Sequence, residues 1–584
     1  MPFQVSPGVS VVETDLTTIV PTISTTAAGF VGHFSWGPAN EVRTISSENE
    51  LREVYGDPDE TNFTYWFSAA NFLRYGSNLQ VVRAVGTGAR NAGHGGGTSG
   101  IIGYPLSEKL DATSGDIYST TKGVFASRFP GSIGNNIGVA VLDSASGATL
   151  SNWGTNGLFG SYFRADPGTS ARATERTGIT SGFDDEIHVI VYDATGYFTG
   201  TKNEPLEIYE GLSKATDAKR DDGTSNHYRT AINNESRYVV VTRGSAAASG
   251  TGEAPVATIQ AQYGGSTGAS FGDFFSNLQD GVQLSGGTAE TADTSAISTY
   301  YSDIFSNSET QDVSLLIAGP ADNTLRNTIV DIAEARKDCV AFVSPDLADV
   351  TGIAESSKAD AVIDARNDIT TKSSYAVMDS GWKYQYDPYN DKFRYVPLNA
   401  DVAGLCAKTD QIAEPWFSPA GFNRGAIRNV IKLAYSPDKT DRDKLYVKGI
   451  NPVVSFTGEG IVLFGDKTMQ AKPSAFDRIN VRRLFNILEK SISTAAKFSL
   501  FEFNDEFTRA AFRNLVEPFL RDVQARRGIF DFKVVCDESN NTPLVIDKNE
   551  FRADIYVKPA RSINFITLNF VASPTGVDFD EIGA

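Results

Sequence analysis

The class of the fold follows from two short runs, Ser314-Leu315-Leu316-Ile317-Ala318 and Cys339-Val340-Ala341-Phe342-Val343. A helical pattern at residues 324–337 lies between them. Both runs are continuously apolar, which is typical of strands that are buried on both faces of a sheet. Residues 375–378 predict a third such strand, after a helix near 359–367. Apolar strands that alternate with helices indicate a parallel sheet covered by helices. The middle of the chain is therefore predicted to be α/β.

The N-terminal part of the chain continues this pattern. Residues 28–34 and 79–85 predict strands, and residues 62–75 between them predict an amphipathic helix. Because strands of this kind recur on both sides of a long interruption, we assign residues 23–90 and 121–434 to one discontinuous α/β region.

The interruption has a different composition. Residues 86–120 are rich in Gly, Ser and Thr, which predicts a variable loop or a reduced insertion. From about 121 to 256, short β-like runs such as 187–192 and 238–242 are separated by polar, Gly-rich loops. We expect this part to be a peripheral, β-rich insertion.

The last third of the chain has another order of elements, which predicts a compact α+β core domain over residues 435–565. The expected elements are a hairpin at Thr457-Gly458-Glu459-Gly460, a helix at 475–497 capped by Ser474, a helix at 505–526, and strands at 530–536, 551–557 and 562–570. Asn504 is the expected cap of the second helix and Gly528 its expected end. The core-facing stripe of that helix is expected to be Phe507, Ala511, Leu515, Phe519 and Val523.

Strand patterns also stand at both ends of the chain. Residues 1–22 include Val5-Ser6-Pro7-Gly8-Val9-Ser10-Val11, and residues 566–584 begin with apolar residues that alternate with Thr567 and Asn569. Arms of this kind suit strand addition between subunits. The side chains expected to make intersubunit contacts are Val5, Val9, Val11, Ile566, Leu568 and Phe570.

Composition narrows the class of protein. With 584 residues and 41% apolar content, the chain is long enough for several packed domains. It shows neither a basic-then-apolar leader nor an apolar run long enough for a membrane span, so we expect no secretion by a cleaved signal and no membrane insertion. Cys339, Cys406 and Cys536 are far apart and stand in apolar runs, which favours buried thiols in a reducing compartment.

Charge is unevenly distributed along the chain. From Gly421 onward there are 24 Lys and Arg against 21 Asp and Glu, whereas the preceding part has 28 against 50. An acidic bulk joined to a mildly basic C-terminal part implies two faces with different partners. The arginines of the two C-terminal helices indicate a protein interface or intersubunit ion pairs rather than nucleic acid, because no aromatic-interleaved basic patch accompanies them. They are Arg478, Arg482, Arg483, Arg509, Arg513, Arg521, Arg526 and Arg527.

Motifs of catalysis are incomplete in this sequence. Gly264-Gly265-Ser266-Thr267-Gly268 matches a hydrolase nucleophile pattern, but the base histidine of that fold follows the serine, and the last histidine here is His227. Gly86-Thr87-Gly88 follows a predicted strand, yet Asn91 occupies the third glycine position of a dinucleotide site. Neither a phosphate-binding loop nor zinc spacing stands out. We therefore expect no catalytic, metal-binding or cofactor-binding residues, and no enzyme.

Several segments of the chain resemble the tail sheath proteins of contractile-tailed bacteriophages. They are Gly29-Phe30-Val31-Gly32 with Trp36-Gly37-Pro38, Asn71-Phe72-Leu73-Arg74-Tyr75-Gly76 with Val81-Val82-Arg83-Ala84, Phe129-Pro130-Gly131-Ser132-Ile133-Gly134-Asn135, Lys383-Tyr384-Gln385-Tyr386-Asp387, Ser418-Pro419-Ala420-Gly421-Phe422-Asn423-Arg424-Gly425, Phe476-Asp477-Arg478-Ile479-Asn480-Val481-Arg482-Arg483-Leu484-Phe485, and Pro559-Ala560-Arg561-Ser562-Ile563-Asn564. The last three are the most specific. The resemblance is lost between about 86 and 121, where larger relatives carry an extra outer domain.

The resemblance implies a structural motor. Its subunits would form hexameric rings stacked around a tail tube, in a virion tail assembled in the host cytoplasm, and would contract to drive the tube through the host envelope. The implied partners are further copies of the chain, the tail tube protein, the baseplate and a tail terminator protein, without nucleic acid or membrane insertion. The C-terminal domain and both arms would form the lattice core beside the tube, and the acidic middle region would face outward. Candidate core-lattice or tube-facing charges are Arg478, Arg482, Arg483, Arg526 and Arg527.

Two alternatives stay open at this point. The sheath of a bacterial contractile injection system would follow the same logic. An α/β nucleotide-dependent enzyme built on the middle region would need a pocket with convergent polar groups.

Overall fold

The computed structural model describes residues 25–86, 88–93, 125–146, 148–154, 157–177, 184–241, 275, 278–288 and 294–564. These residues fall into two compact units. The central unit comprises the described residues of 24–408 and 420–471, and the C-terminal unit comprises residues 409–419 and 472–564. The predicted class, a mixed α/β and α+β chain with several sheets, is confirmed.

The strands and helices alternate in blocks along the chain. The strands are β1 (Ala28–His33), β2 (Val42–Ile45), β3 (Leu79–Ala84), β4 (Phe125–Ser127), β5 (Ile137–Asp143), β6 (Glu186–Asp193), β7 (Glu204–Ser213), β8 (Val239–Val241), β9 (Val282–Gln283), β10 (Leu315–Ile317), β11 (Val340–Val343), β12 (Ala376–Asp379), β13 (Trp382–Asp387), β14 (Lys392–Pro397), β15 (Lys432–Leu433), β16 (Ile450–Asn451), β17 (Val453–Phe456), β18 (Gly460–Leu463), β19 (Ile529–Val535) and β20 (Asp554–Pro559). The helices are α1 (Glu48–Tyr55), α2 (Phe63–Leu73), α3 (Ala171–Thr177), α4 (Tyr228–Glu235), α5 (Thr294–Phe305), α6 (Asn323–Arg336), α7 (Leu347–Val350), α8 (Glu355–Asp368), α9 (Asn399–Ile412), α10 (Lys439–Val447), α11 (Ile479–Ala496), α12 (Glu506–Ala525) and α13 (Pro543–Asp547).

A seven-stranded sheet forms the centre of the central unit, in the order β16-β12-β11-β10-β1-β3-β2. All neighbours pair in parallel except β2, which runs antiparallel to β3. The register places Ala28 of β1 opposite both Leu315 of β10 and Leu79 of β3. The strands predicted from continuous apolar runs are confirmed, and β1, β10, β11 and β12 are buried along their whole length.

A buried tyrosine fixes one of the covering helices to this sheet. The Tyr301 hydroxyl on α5 donates a hydrogen bond to the Ile317 carbonyl at 2.5 Å and accepts one from the Val31 amide at 3.0 Å. Tyr301 therefore bridges β10 and β1 from a single helix. Its surroundings belong to the main apolar core, which also includes Ile329 and Met378.

Antiparallel sheets follow β3 in the chain. One has the order β7-β6-β5-β9, and a second pairs β4 with β8. The β-like runs predicted at 187–192 and 238–242 are present as β6 and β8. Their apolar side chains share a core, distinct from that of the central sheet, that includes Ile137, Val189 and Val241.

The predicted start of the C-terminal domain at residue 435 is corrected by the pairing of β16. Met378 of β12 lies opposite Ile450, so β16 is the outer strand of the central sheet. The predicted hairpin is present as β17 and β18, but it also belongs to the central unit. The C-terminal unit instead begins its continuous part at residue 472 and takes residues 409–419 from an earlier part of the chain.

The first C-terminal helix is shorter than predicted. Ser474 caps only a short 3-10 turn, Ala475–Asp477, by accepting a hydrogen bond from the Phe476 amide. Arg478 is extended, with φ −120° and ψ 138°, and it serves as the N-cap residue of α11. The break separates the predicted helix into two pieces.

Helix α12 differs from its prediction in caps and in face. Asp505, not Asn504, caps it, by accepting from the Thr508 amide. Arg527, at φ 67°, is the left-handed residue beyond its end, not Gly528. The predicted stripe is confirmed at Val523 and in part at Phe519, which is half-buried against the core, but Phe507 is exposed. The buried apolar side chains of the helix are Phe512, Val516, Leu520 and Val523.

Candidate assembly surfaces

In the described part of the C-terminal unit, two strands form a sheet. β19 and β20 pair antiparallel, with Phe532 opposite Val557 and Val534 opposite Ile555. These four side chains face the core of the unit. Among the described residues, no third strand pairs with either one, so neither outer edge is completed by a strand, although the Phe530 carbonyl of β19 accepts from Gln524 Nε2.

The side chains predicted to add strands to such edges belong to the two terminal arms of the chain. Val5, Val9 and Val11 in the first arm, and Ile566, Leu568 and Phe570 in the second, lie outside the described residues. The last described segment of the chain nevertheless continues directly from β20, one of the two strands of this sheet. Pro559 ends β20, and Asn564 is the last described residue, two positions before Ile566.

Two of the predicted surface arginines are buried. Arg483 Nη2 lies 2.5 Å from Asp410 Oδ2, and both side chains are 4% exposed. Arg482 is equally buried, with its guanidinium 4.7 Å from the ring centroid of Phe476 and its Nε donating to Asn486 Oδ1 at 2.9 Å. Their charges are satisfied inside the C-terminal unit, so the expectation that they face a tube or a neighbour is corrected.

Arg478 lies at the rim of a groove. The groove has a volume of about 560 Å³ and is lined by Pro473, Ser474, Ala475, Asp477, Arg478, Arg561, Ser562, Ile563 and Asn564. Arg478 Nε lies 3.6 Å from Asp477 Oδ1. Two guanidinium groups and several polar side chains thus surround the point from which the C-terminal arm departs.

Arg526 and Arg527 stand exposed after the last turn of α12. Arg526 Nη1 lies 3.1 Å from Glu414 Oε1, and its Nε lies 3.1 Å from Asp522 Oδ2. The hydrogen bond to Glu414 raises the pKa of Arg526, which keeps it charged. Its backbone carbonyl accepts from Trp416 Nε1 at 3.1 Å, which holds the end of α12 against residues 409–419. Of the predicted charges, these two fit a surface role.

Motif residues from distant parts of the sequence meet inside the central unit. Asn71 Nδ2 donates to Gln385 Oε1 at 2.9 Å, and both side chains are buried. The Arg83 guanidinium donates only to backbone carbonyls, two of them in the Trp36-Gly37-Pro38 and Phe129-Pro130-Gly131 motifs. These motifs therefore stabilise the central unit by contacting one another. The sequence alone indicated the motifs but not the contacts between them.

A buried polar network lies near the carboxyl ends of the central strands. Lys383 Nζ and Asp401 Oδ1 are 2.8 Å apart with both side chains fully buried, and the Tyr75 hydroxyl donates to the same oxygen at 3.0 Å. Desolvation lowers the pKa of Lys383 and raises that of Asp401. Lys383 Nζ and the Tyr75 hydroxyl both bind Asp401 Oδ1, whereas Asp401 Oδ2 has no partner among the described residues, so the contacts tie α9 to β13 through one carboxylate oxygen.

The carboxyl group of Asp379 in this region also has a raised pKa. Burial raises its pKa to about 7, although Ser344 Oγ and the Gly381 amide donate to it at 2.6 and 2.8 Å. Asn399 completes the network through hydrogen bonds to Ser344 and Gly319. The carboxyl ends of parallel strands are where α/β enzymes bind ligands, but here a helix start fills the space.

The Gly-rich motif near residue 421 forms a tight loop against β18. Gly425 N donates to Gly421 O at 2.7 Å, and Leu463 N donates to Gly425 O at 2.8 Å. Phe422, half exposed, packs edge-to-face on Phe456 and tilted against Phe464, at centroid distances of 5.2 and 6.0 Å. The loop thus displays an aromatic cluster at the surface of the central unit.

Within the described ranges, no three His, Cys, Asp or Glu side chains are grouped as a metal site requires. No helix of the described part is both long and apolar enough to cross a membrane.

Comparison with known proteins identifies the family. The profile of the phage tail sheath protein central domain matches residues 295–469, and that of the phage tail sheath C-terminal domain matches residues 471–573. The chain is 35% identical to the tail sheath protein of Enterobacteria phage T4 and 35% identical to that of Vibrio phage KVP40, with 99% of each chain covered in both cases. Its fold is similar to the crystal structure of a sheath tail protein from Listeria innocua, with a TM-score of 0.52 and 12% identity over 92% of this chain and 96% of that one. The chain belongs to the phage tail sheath family, and it is a structural protein of the contractile tail rather than an enzyme.

Proposed function

We propose that copies of this chain form hexameric rings stacked around a tail tube, and that the polymer contracts to drive the tube through the host envelope for genome delivery. Assembly takes place in the host cytoplasm, and the tail tube protein, the baseplate and a tail terminator protein are its partners. Full-length similarity to tail sheath proteins of phages supports a phage tail over a bacterial injection system.

The incomplete sheet of β19 and β20 is the observation that carries this proposal. The two strands pack against α12, but their outer edges are not paired with a further strand of the described residues, and such edges are templates for pairing with another chain. The inward side chains Phe532, Val534, Ile555 and Val557 are only partly buried, so the sheet has apolar surface left to cover. Arms from neighbouring subunits would complete the sheet and bury this surface.

Strand addition also supplies a mechanism for contraction without dissociation. Backbone hydrogen bonds between an arm and a sheet edge persist while the subunits move as rigid bodies. The free energy for contraction is stored when the extended lattice assembles, so no nucleotide is consumed. In this mechanism the arms hold the lattice together, while contraction changes how the subunits pack against one another.

Charge supports the orientation of the subunit in this assembly. The part of the chain after Gly421 carries a small positive excess, whereas the part before it is strongly acidic. We place the C-terminal unit and both arms beside the tube and the acidic region outside. Arg526 and Arg527 are the exposed charges that would meet the tube or an adjacent subunit.

Electron microscopy of the concentrated protein tests the proposal. The full chain is expected to form tubes or stacked rings, and a chain without residues 562–584 is expected to stay monomeric with an unchanged unfolding midpoint. Leu568→Pro, which introduces a residue without a backbone donor, should act like the truncation, whereas Leu568→Val should assemble. Sheaths formed by the truncated chain would refute strand exchange, and a full chain that fails to assemble even on isolated tail tubes would refute the sheath itself.

A further inference from the structure

A loop of exposed aromatic residues joins the two C-terminal helices. Between the end of α11 and the first turn of α12, five large apolar side chains stand in solvent. The exposed fractions are 75% for Phe498, 62% for Leu500, 105% for Phe501, 85% for Phe503 and 80% for Phe507. We call residues 498–507 the aromatic loop.

The exposed area of this loop is large for a subunit surface. At roughly 200 Å² for each aromatic side chain, the five residues expose on the order of 800 Å². The largest apolar patch of a typical monomer is about 300–600 Å². A stable interface of standard size buries about 800 Å² on each partner. The aromatic loop alone therefore matches one side of a stable protein interface.

The loop is also held in a defined shape. Asn504 Nδ2 donates to Asn541 Oδ1 at 3.1 Å and to the Glu550 carbonyl at 2.8 Å, and Asn504 Oδ1 accepts from Arg509 at 3.2 Å. Phe501 has φ 69°, a left-handed conformation that a bulky residue rarely adopts. A strained residue with a fully exposed ring at the tip of an anchored loop is typical of a preorganised contact.

Charge around the loop indicates its partner. Glu502, Asp505 and Glu506 are exposed within the aromatic loop, at the start of α12, whereas Arg526 and Arg527 are exposed at the other end of that helix. Twenty residues of helix separate the two ends by about 30 Å. Phe530, 70% exposed, lies beside the basic end, since Gln524 Nε2 donates to its carbonyl at 2.9 Å. One unit thus carries an acidic, aromatic end and a basic end with its own exposed ring.

We propose that the aromatic loop docks on a second copy of this chain, at the basic end of α12 around Phe530. Different surfaces then meet in one contact, and such head-to-tail contacts generate closed rings or helices. This inference rests on the proposed function, because it specifies a contact within the sheath lattice. A tube over which the sheath slides is a poorer partner, since a large dry aromatic contact would have to break in every ring.

Photocrosslinking identifies the occupant directly. Cys339, Cys406 and Cys536 are buried, so Phe501→Cys supplies a selectively reactive thiol for benzophenone maleimide. In assemblies made with and without tail tubes, the expected adduct joins residue 501 to residues 521–530 of a second copy. Adducts to the tube protein, to an arm of the same chain, or to another region of the second copy would overturn the proposal. Ser161→Cys, an exposed position in the β-rich insertion, is the matched control and should give no such adduct.

Assembly measurements separate this contact from the sheath function as a whole. Phe501→Ser with Phe503→Ser should leave the unfolding midpoint of the subunit unchanged, because both rings are exposed. The concentration needed for assembly should rise at least about 30-fold, as for loss of an interface hot spot. Val447→Ser, which changes a 79% exposed residue of the central unit, is the control and should leave assembly unchanged. Unchanged assembly of the double variant would overturn the docking site alone, whereas a wild-type chain that never assembles would overturn the sheath proposal too.

Discussion

Arg83 Nη2 donates a hydrogen bond to the Pro130 carbonyl at 2.7 Å, across 47 residues of sequence. The same guanidinium reaches the carbonyls of Phe34 and Gly37, also at 2.7 Å, and that of Ser35 at 3.2 Å. Burial lowers the pKa of Arg83 to about 9, which leaves it charged at neutral pH. One side chain therefore joins β3, the segment after β1 and the start of the β-rich insertion.

Arg83→Lys should destabilise the chain although the charge is kept. An ammonium cannot match the forked geometry of the guanidinium, so at least two buried carbonyls lose their donors at about 1–3 kcal/mol each. Urea unfolding should show a loss of about 2–6 kcal/mol. Arg43→Lys, on the exposed side of β2, is the control and should change stability by less than about 0.5 kcal/mol. Equal effects in the two variants would contradict the assigned role.

Arg483→Ala and Arg526→Ala should separate a buried from an exposed arginine. Removing Arg483 leaves the Asp410 carboxylate buried, which should cost about 3–5 kcal/mol. Arg526→Ala removes an exposed, solvent-screened charge and should leave the stability of the free subunit nearly unchanged. Chemical unfolding of the purified subunit checks both expectations. A small effect at Arg483 would show that its ion pair does not form.

Asp379→Asn should change how stability depends on pH. Burial raises the pKa of Asp379 from 3.8 to about 7, so the folded chain keeps a proton there that the unfolded chain loses first. Stability from this proton is complete below about pH 4 and is lost as pH rises through about 7. The free energy of unfolding of the variant, relative to that of the wild type, should therefore rise by up to about 4 kcal/mol between pH 4 and 8. Parallel profiles would contradict the shift, and the exposed Asp364→Asn serves as control.

Gly425→Ala should destabilise the loop against β18. A Cβ atom at Gly425 would lie 2.9 Å from Gly421 N, Gly421 O and Leu463 O, all of them backbone atoms that cannot move aside singly. Overpacking of this kind costs about 1–3 kcal/mol. Gly168→Ala, whose Cβ would meet nothing within 4 Å, is the control and should be tolerated. An unchanged unfolding midpoint for Gly425→Ala would mean that the loop opens without cost.

Sequence patterns predicted the central sheet because its strands are continuously apolar and bounded by helices. They could not place β16, since Ile450–Asn451 has only two residues and pairs with a strand some 70 residues earlier. In α12, two apolar series at spacing four compete, one through Phe507 and Leu515 and one through Phe512 and Val516. Local periodicity does not distinguish them, because the neighbours that cover one face come from elsewhere in the chain.

The candidate surfaces were predictable to a lesser degree. Arg482 and Arg483 were expected at the surface, but the partner of Arg483 is Asp410, 73 residues away, and no local pattern indicates such a pair. The aromatic loop was missed, although the run Phe498-Ser499-Leu500-Phe501-Glu502-Phe503 between two helical patterns was a signal for it. Large apolar residues in a connection between two helices do not belong to a helix face that packs against the core, so such a run indicates exposed apolar side chains.

The position of β1 has a consequence for synthesis of the chain on the ribosome. β1 pairs with β10, and Ala28 and Leu315 are 287 residues apart. At about 5–20 residues per second, the ribosome needs roughly 15–60 s to make the second strand after the first. During that time the hairpin-rich segment between the two strands can fold through its own short-range pairings. The edge of β1 that pairs with β10 stays without its partner strand until β10 has been made. A nascent chain of this protein is therefore most exposed to misassociation and to chaperones before the translation of Leu315, a vulnerability that the finished subunit no longer shows.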